Sequence, residues 1–328
     1  MQIRPLLELL ADGNFHSGQE IGECLGVSRT SVWKMVNAGL PLGIDLDVQK
    51  GVGYRIPGGL DLLDEEAINH WLASNAPGKV CYHQFNEIES TNAYLMDSMH
   101  SVDEGVVHIC AAEMQTDGRG RRGKVWCSPF GQNLYVSIAF HLSGGGERLS
   151  GLSLVVGIAV VQAIEAFGFS GVKLKWPNDI YVHDEKLGGI LVELTGSPAD
   201  GWKVVVGVGL NVYMKDGEVS KSIDQRWTSL VVSGGRDLGN ISRNAVLLCL
   251  LDCIFKTLAQ YELSGFSGFM DEWHRLDYLQ GKVVQVLGTD KSGVVLGVQS
   301  DGALRLRMSN GGNLVVNAGE VSVRALLD

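Results

Sequence analysis

Between Gly118 and Gly123 the chain reads GRGRRG, three glycines interleaved with three arginines. A backbone this rich in glycine turns tightly and can bring its N–H groups close to an anion. Arginine adds a charge that does not titrate away and a fork shaped for carboxylate or phosphate oxygens. The fold around this segment must therefore supply a loop that closes over something anionic or, at its blandest, a solvated basic turn. What precedes it favours a ligand site. Val106 to Ala112 is a compact apolar strand, and Glu113-Met114-Gln115 leads from its end into the loop. Ligand sites in mixed α/β architectures gather at such strand ends.

With 328 residues the chain has room for two or three domains and an ample core. A formal net charge of −10 and a pI near 5.3 exclude nucleic-acid binding through bulk charge, so any DNA contact needs a local patch. The six cysteines are scattered without a CxxC pair, which fits a reducing cytoplasm. No signal peptide is read at the start, where Arg4, Pro5 and Glu8 interrupt the apolar pattern. The longest apolar run, Leu152 to Phe167, is short for a membrane span and reads as a buried helix, so no membrane partner is expected.

Residues 1–60 read as helices with a hairpin appended. Ser17-Gly18-Gln19-Glu20 has the form of a capping box, Gly26 permits a sharp turn, and Ser28 can cap the next helix. That helix places Val32, Met35 and Val36 on one stripe and turns Arg29, Thr30, Ser31, Trp33 and Lys34 outward, a set suited to phosphates and base edges. Ile44 to Val48 and Tyr54 to Ile56 flank a glycine turn and read as a β-hairpin wing carrying Lys50 and Arg55. The order is that of a winged helix–turn–helix, with a helical protein-interaction module as the alternative. Charge does not choose between them, since this unit carries five Lys/Arg against six Asp/Glu. Residues 61–79 form a linker with a short helix between Pro57-Gly58-Gly59 and Pro77-Gly78.

A second unit, 80–276, opens with a strand to Phe85, then Ser90-Thr91-Asn92 ahead of a helix over Ala93 to Met99. Such a triplet is a good helix cap, and a helix start is also an anion site. Val172 to Trp176 alternates apolar and polar residues, placing Lys173 and Lys175 on one face, and Pro177-Asn178-Asp179 ends it. Ile180 to Val182 and Gly188 to Leu194 make a hairpin, and Val204 to Val212 is a strand whose Gly207 and Gly209 mark close backbone approach. Residues 213–240 are polar and turn-rich. Ser242 starts a helix to about Leu263, and a second helix is expected over Phe266 to Leu276. Residues 277–328 show short strands about ten residues apart, the last over Val321 to Arg324, which suggests a small β-barrel.

No P-loop occurs, and Gly207-Val208-Gly209 lacks the third glycine of a dinucleotide turn. A Ser, Cys or His triad is not apparent. Four stretches taken together are more specific: GRGRRG at 118–123, KWPND at 175–179, KLGGILVEL at 186–194 and GLN at 209–211. With Phe15-His16-Ser17-Gly18 near the start, they make the chain resemble, over nearly its whole length, the bifunctional biotin–protein ligases that also repress the biotin operon.

The resemblance implies an α+β multidomain fold: a winged helix–turn–helix, a class II synthetase-like ligase domain built on a central mixed β-sheet with helices, and a C-terminal SH3-like β-barrel. It implies biotin and ATP as substrates, with Mg2+, to form biotinyl-5′-AMP, and transfer of biotin to a lysine of the biotin carboxyl carrier protein of acetyl-CoA carboxylase. It further implies a cytoplasmic homodimer that forms on ligand binding and represses through biotin operator DNA.

By matching motif, Ser90, Thr91, Asn92, Gln115, Arg119, Gly120, Arg121, Lys186 and Gly189 would line the biotin site. Arg121, Trp126, Asn178, Lys186 and Asn211 would hold the adenylate. Arg121, Lys186 and Asp179 would be catalytic, with Asp179 open between orienting magnesium, receiving a proton and serving as a turn residue. No protein residue is assigned to the metal, which would come on the substrate phosphates. Three positions depart from the family pattern: Lys124 for a usual arginine, Gly188 for a frequent alanine and Cys127 for a usual aromatic. None removes a group the reaction needs. Three rival readings follow from the same pattern: a repressor with an inactive ligase fold, a ligase for lipoate or octanoate, and an enzyme whose N-terminal unit binds only protein.

Overall fold

Leu6, Leu7 and Leu10 bury one face of α1 (Arg4–Leu10), which packs on α2 (Gly18–Leu25) and α3 (Arg29–Gly39). The capping box is complete: Ser17 Oγ accepts from the Glu20 amide, and the Glu20 carboxylate accepts from the Ser17 amide. Gly26 ends α2 at a φ of 64°, where a side chain would be strained. Ser28 Oγ then accepts from the Ser31 amide at 3.2 Å, and α3 buries the stripe Val32, Met35 and Val36. The hairpin β1 (Asp47–Gln49) and β2 (Gly53–Arg55) is shorter than the alternation suggested. Ile44 and Ile56 lie outside its strands because they complete the core beneath the helices.

The computed structural model describes residues 3–39, 42–98, 105–142, 149–197, 201–217, 219–234, 241–318 and 322–326. The expected helix end at Met99 and strand start at Val321 lie outside them.

After α4 (Glu65–Asn75), capped by Asp64, comes a seven-stranded sheet. Its strands are β3 (Lys79–Phe85), β4 (Val106–Ala112), β5 (Asn133–Leu142), β6 (Lys173–Lys175), β7 (Asp179–Val182), β8 (Glu185–Ser197) and β9 (Gly201–Asn211). The order is β3-β4-β5-β9-β8-β7-β6, with β3 and β4 parallel and the other neighbours antiparallel. Strand residues alternate between two faces. One face sends Ile109, Val136, Ile138, Val206 and Val208 into the main core with α6 (Leu152–Glu165). The other sends Cys110, Ala139 and Val205 against Leu95 of α5 (Thr91–Ser98), and the glycines and polar residues of the site share it.

The polar stretch after β9 holds, among its described residues, a 3-10 turn at Val219–Ser222 and an unexpected turn of helix, α7 (Leu230–Ser233), with Ser229 as its cap. Ser242 precedes α8 (Arg243–Ser264) but makes no side-chain cap. The Asp61 carboxylate from the linker accepts the Arg243 amide instead, putting an anion at the helix start. The expected helix over Phe266 to Leu276 is a 3-10 turn, Phe266–Phe269, followed by α9 (Met270–Leu276).

The chain ends in a five-stranded antiparallel sheet: β10 (Val283–Val286), β11 (Ser292–Val298), β12 (Leu304–Met308), β13 (Asn313–Val316) and β14 (Val323–Ala325), ordered β13-β12-β11-β10-β14. Its Val284, Val286, Val295 and Leu306 join the main core, and Trp176 Nε1 donates to the Gly302 carbonyl at 3.0 Å. Among the described residues no helix is long and apolar enough to cross a membrane.

Candidate active site

The site is floored by glycines because side chains from other elements need the space. A Cβ on Gly207 would stand 2.2 Å from Asn92 Oδ1, and one on Gly209 would stand 2.5 Å from the Trp126 ring. On β8, a Cβ on Gly189 would meet both Lys186 and Trp126 at about 3.5 Å, contacts that the ordinary packing distance tolerates. The approaches that Gly207 and Gly209 signalled are therefore made, in this structure, by the protein's own Asn92 and Trp126.

Ser90, Thr91 and Asn92 are all buried at the start of α5. The Thr91 amide donates to Gln115 Oε1 at 3.0 Å, and Gln115 Nε2 donates to Ser128 Oγ at 3.1 Å. Ser137 Oγ lies 2.7 Å from Thr91 Oγ1 and 2.6 Å from Asn92 Oδ1. Asn92 Nδ2 donates to Glu193 at 2.8 Å. Buried polar groups of this kind must find partners, and here they form one continuous chain.

The glycine–arginine segment leaves this cradle as a short hairpin. The Trp126 amide donates to the Gly118 carbonyl at 2.7 Å, and the Gly120 amide to the Lys124 carbonyl at 2.7 Å. Gly118 is enclosed, since a Cβ there would lie 2.5 Å from the Trp126 carbonyl. Arg119 pairs with Asp117 at 2.7 Å near solvent. Arg121 turns inward, its guanidinium 3.5 Å from Asn178 Oδ1 and hydrogen-bonded to the Ala318 carbonyl in the turn that follows residue 316 of the C-terminal sheet. Burial, and then Arg122, pull its pKa below the ordinary arginine value, and Asp179 partly restores it.

Lys186 Nζ pairs with Asp179 at 2.7 Å and stands 5.4 Å over the Trp126 ring. Asn178 Nδ2 donates to the Ile190 carbonyl at 2.7 Å, which aims its oxygen toward Arg121. Lys175 lies across the β6–β7 pair from Asp179 and donates to Tyr181 Oη at 3.2 Å. Burial lowers its pKa, opposed by Asp179 and assisted by Lys186. Asn211 Nδ2 donates to the Thr228 carbonyl at 2.9 Å, while Asn211 Oδ1, Thr228 Oγ1 and Trp126 Nε1 are buried without a partner. Unpaired buried polar atoms are costly, and a ligand base would satisfy them. Beside Arg121 and Asn178, a cleft of about 470 Å³ opens between the start of α6 and the C-terminal sheet.

Residues 85–211 match the biotin/lipoate A/B protein ligase family. The bifunctional ligase/repressor BirA of Salmonella typhimurium is 38% identical over 325 residues, covering 98% of this chain and 97% of that protein. Its counterpart from Escherichia coli is 37% identical, over 98% and 96%. The chain belongs to the family of bifunctional biotin ligase/repressors. The biotin protein ligase of Aquifex aeolicus, solved with biotin and ATP, superimposes with a TM-score of 0.62 at 28% identity, over 76% of this chain and 99% of that one.

Within this family member, the structure gathers Ser90, Thr91, Asn92 and Gln115 at one end of the glycine floor, with Trp126, Lys186, Asp179 and Gly189 beyond them. Arg121 and Asn178 stand beside that group, Asn211 lies under the Thr228 segment, and Gly120 lies in the loop. Arg119 stays at the rim. In the N-terminal unit, Ser28, Arg29, Thr30, Trp33, Lys34 and Lys50 are exposed and Ser31 is half-buried. Arg55 is committed locally, paired with Asp47 at 2.7 Å and stacked over Phe15. Among the described residues no three His, Cys, Asp or Glu side chains are grouped to hold a metal, so the donors present do not form a protein metal cage.

Sequence reasoning missed Ser128, Ser137, Glu193 and Thr228. Ser137 did leave a signal: it is the one small polar residue among the apolar and aromatic residues of Leu134–Phe140. Glu193 left none, because alternation along β8 also allows it as a solvated residue.

Proposed function

We propose that the chain is an ATP-dependent biotin–protein ligase that forms biotinyl-5′-AMP and transfers biotin to a carrier lysine, and that it also represses transcription in response to the adenylate. The observation that carries the ligase reading is the Lys186–Asp179 pair over Trp126, set on the same glycine floor as the Thr91–Gln115 cradle. The cradle suits a neutral polar ring. The cationic end suits a carboxylate meeting a phosphate.

Adenylation brings two anions together. The biotin carboxylate oxygen attacks the α-phosphorus as pyrophosphate leaves, and repulsion opposes the approach. Lys186 and Arg121 would offset that repulsion and stabilise charge spread over the phosphoryl oxygens. Magnesium, carried in on the nucleotide, would neutralise the departing pyrophosphate. Asp179 orients Lys186 Nζ in this reading, and Asn178 orients Arg121. Asn211 and Thr228 supply acceptor and donor atoms for the base. Closure of residues 117–126 would exclude water from the mixed anhydride until the carrier amine attacks its carbonyl and AMP leaves. Pyrophosphate release that depends on both biotin and ATP, followed by biotin transfer to a carrier domain, tests this. Turnover with lipoate or octanoate in place of biotin would overturn it.

For the repressor we propose that residues 1–60 are a winged helix–turn–helix with α3 in the major groove and Lys50 near the backbone, joined by the 61–79 linker to the 80–276 catalytic domain. Residues 277–328 would be an SH3-like barrel. Adenylate binding would order the loop and promote a homodimer, aligning two α3 helices on a palindromic operator. A gel shift with duplex operator DNA, with and without biotinyl-AMP, tests the DNA reading. Sedimentation that finds no adenylate-dependent dimer would remove the coupling.

A further inference from the structure

Glu193 lies opposite Val205 on β8, on the face that also carries Gly189 and Leu191. Its carboxylate accepts from Asn92 Nδ2 at 2.8 Å, and the Leu191 carbonyl accepts from the same nitrogen at 3.3 Å. An asparagine amide has two hydrogens, so both are committed and Asn92 Oδ1 is left as an acceptor only. Ser137 Oγ, 2.6 Å from that oxygen, must therefore donate to it. A serine hydroxyl has one proton. The 2.7 Å contact between Ser137 Oγ and Thr91 Oγ1 then requires Thr91 to be the donor. Thr91 Oγ1 also stands 3.1 Å from Gln115 Oε1, which accepts from the Thr91 amide at 3.0 Å, but the shorter contact to Ser137 would have no proton between its two oxygens unless the Thr91 hydroxyl supplies it. With its proton pointed at Ser137, the Thr91 hydroxyl offers a ligand only lone pairs.

The proton order is well enforced. Ser137 is fully buried, and Thr91 and Asn92 nearly so, which strengthens each link. The β9 backbone at Gly207 leaves Asn92 no room to move toward it. Glu193 is the one charged member of the chain and, when ionised, can only accept. It stands at the end of the series opposite Thr91.

We infer that Glu193 is a positioning residue that determines specificity: through Asn92 and Ser137 it holds the Thr91 hydroxyl as an acceptor for a ligand N–H. An acyl group with a ureido N–H, as in biotin, satisfies that acceptor. An acyl chain ending in an alkyl group or a dithiolane ring leaves it unpaired, and a site built to pair a ligand N–H discriminates strongly against one without it. The inference rests on Thr91 lining the biotin pocket.

The test compares Glu193→Ala, Glu193→Gln and Thr91→Val by pyrophosphate release. Glu193→Ala is expected to raise KM for biotin about tenfold, the scale of one lost polar contact, with kcat and KM for ATP within about twofold. Glu193→Gln keeps an acceptor oxygen in place and should recover most of the loss. Thr91→Val should raise KM for biotin by itself, and adding Glu193→Ala should bring little further change, since the two act in series. Wild-type KM for biotin in Glu193→Ala, with Thr91→Val impaired, would overturn the inference and leave the pocket reading standing. An unimpaired Thr91→Val would overturn the pocket reading and the inference with it. Equal losses in Glu193→Ala and Glu193→Gln, or parallel losses in kcat and in KM for ATP, would assign Glu193 a charge or folding role and overturn the inference.

Discussion

Glu113 and Arg243 meet at 2.7 Å with both side chains wholly buried. The other Glu113 oxygen accepts the Leu63 amide at 2.8 Å and faces Arg4 of α1 at 3.4 Å. One carboxylate at the foot of the glycine–arginine loop thus ties the N-terminal helices, the linker and the start of α8 together. Removing one partner from such a pair leaves a buried charge uncompensated. Glu113→Ala should lower the unfolding free energy by about 3–5 kcal/mol, read from urea denaturation. Arg4→Ala, with its longer contact and partial exposure, should cost about 1 kcal/mol or less.

Gly209 lies under Trp126 with no space for a β-carbon. Gly209→Ala must lift the indole from the sheet. KM for ATP should rise about tenfold, on the scale of 1–3 kcal/mol for overpacking, while the melting temperature changes little because the loop can move outward. An unchanged KM for ATP would detach Trp126 from nucleotide binding.

Lys186 is mostly buried and paired with Asp179. Lys186→Ala should cut the rate of adenylate formation about 100–1,000-fold, the range for one lost electrostatic stabiliser of a transition state. Single-turnover measurement separates this from transfer, and an unaltered adenylation rate would remove Lys186 from the chemistry.

Arg121 connects the loop to Asn178 and to the turn after β13 at Ala318. Arg121→Gly loses both the charge and that tether. The variant should release biotinyl-AMP and biotinylate bulk protein without a carrier domain. Retention of the adenylate in a filter-binding release assay would contradict this.

His83 and His108 stack at 5.7 Å between ring centroids, and Tyr94 of α5 hydrogen-bonds His83 at 3.3 Å. Burial holds both imidazoles below the ordinary value of 6.5, with His83, His141 and Lys79 adding to the effect on His108. A histidine with a lowered folded pKa binds its proton more readily unfolded. The stabilising contribution is therefore present above pH 6.5 and is lost as pH falls from there through the folded values. Melting temperature should drop between pH 7.5 and pH 5.5, by roughly a few degrees, and His108→Gln should flatten that slope. An equal slope in the variant would place the acid sensitivity elsewhere.

Local order was legible where the signal is local. A capping box, a glycine turn and an apolar stripe at helical spacing act within a few residues, so α2 and α3 follow from the order of side chains alone. The same holds for the faces of the long strands, where alternation decides what is buried. It fails for the polar stretch that holds α7 and for the broken helix at Phe266–Phe269, where turns rather than periodicity govern the chain.

By itself the sequence determined the family and the charged and polar groups within reach of one another, because motifs such as GRGRRG and KWPND carry those groups at short spacing. Tertiary structure alone decided the partners. Asp61 reaches α8 across 182 positions, Asn92 reaches Glu193 across 101, and Arg121 reaches Ala318 across 197. The physical reason is that periodicity assigns a residue to a face, whereas a buried hydrogen bond also needs the register and packing of elements far apart in the chain. The direction of the Thr91 hydroxyl, which follows from three such bonds in series, exists only once β5, β8 and α5 have closed around it.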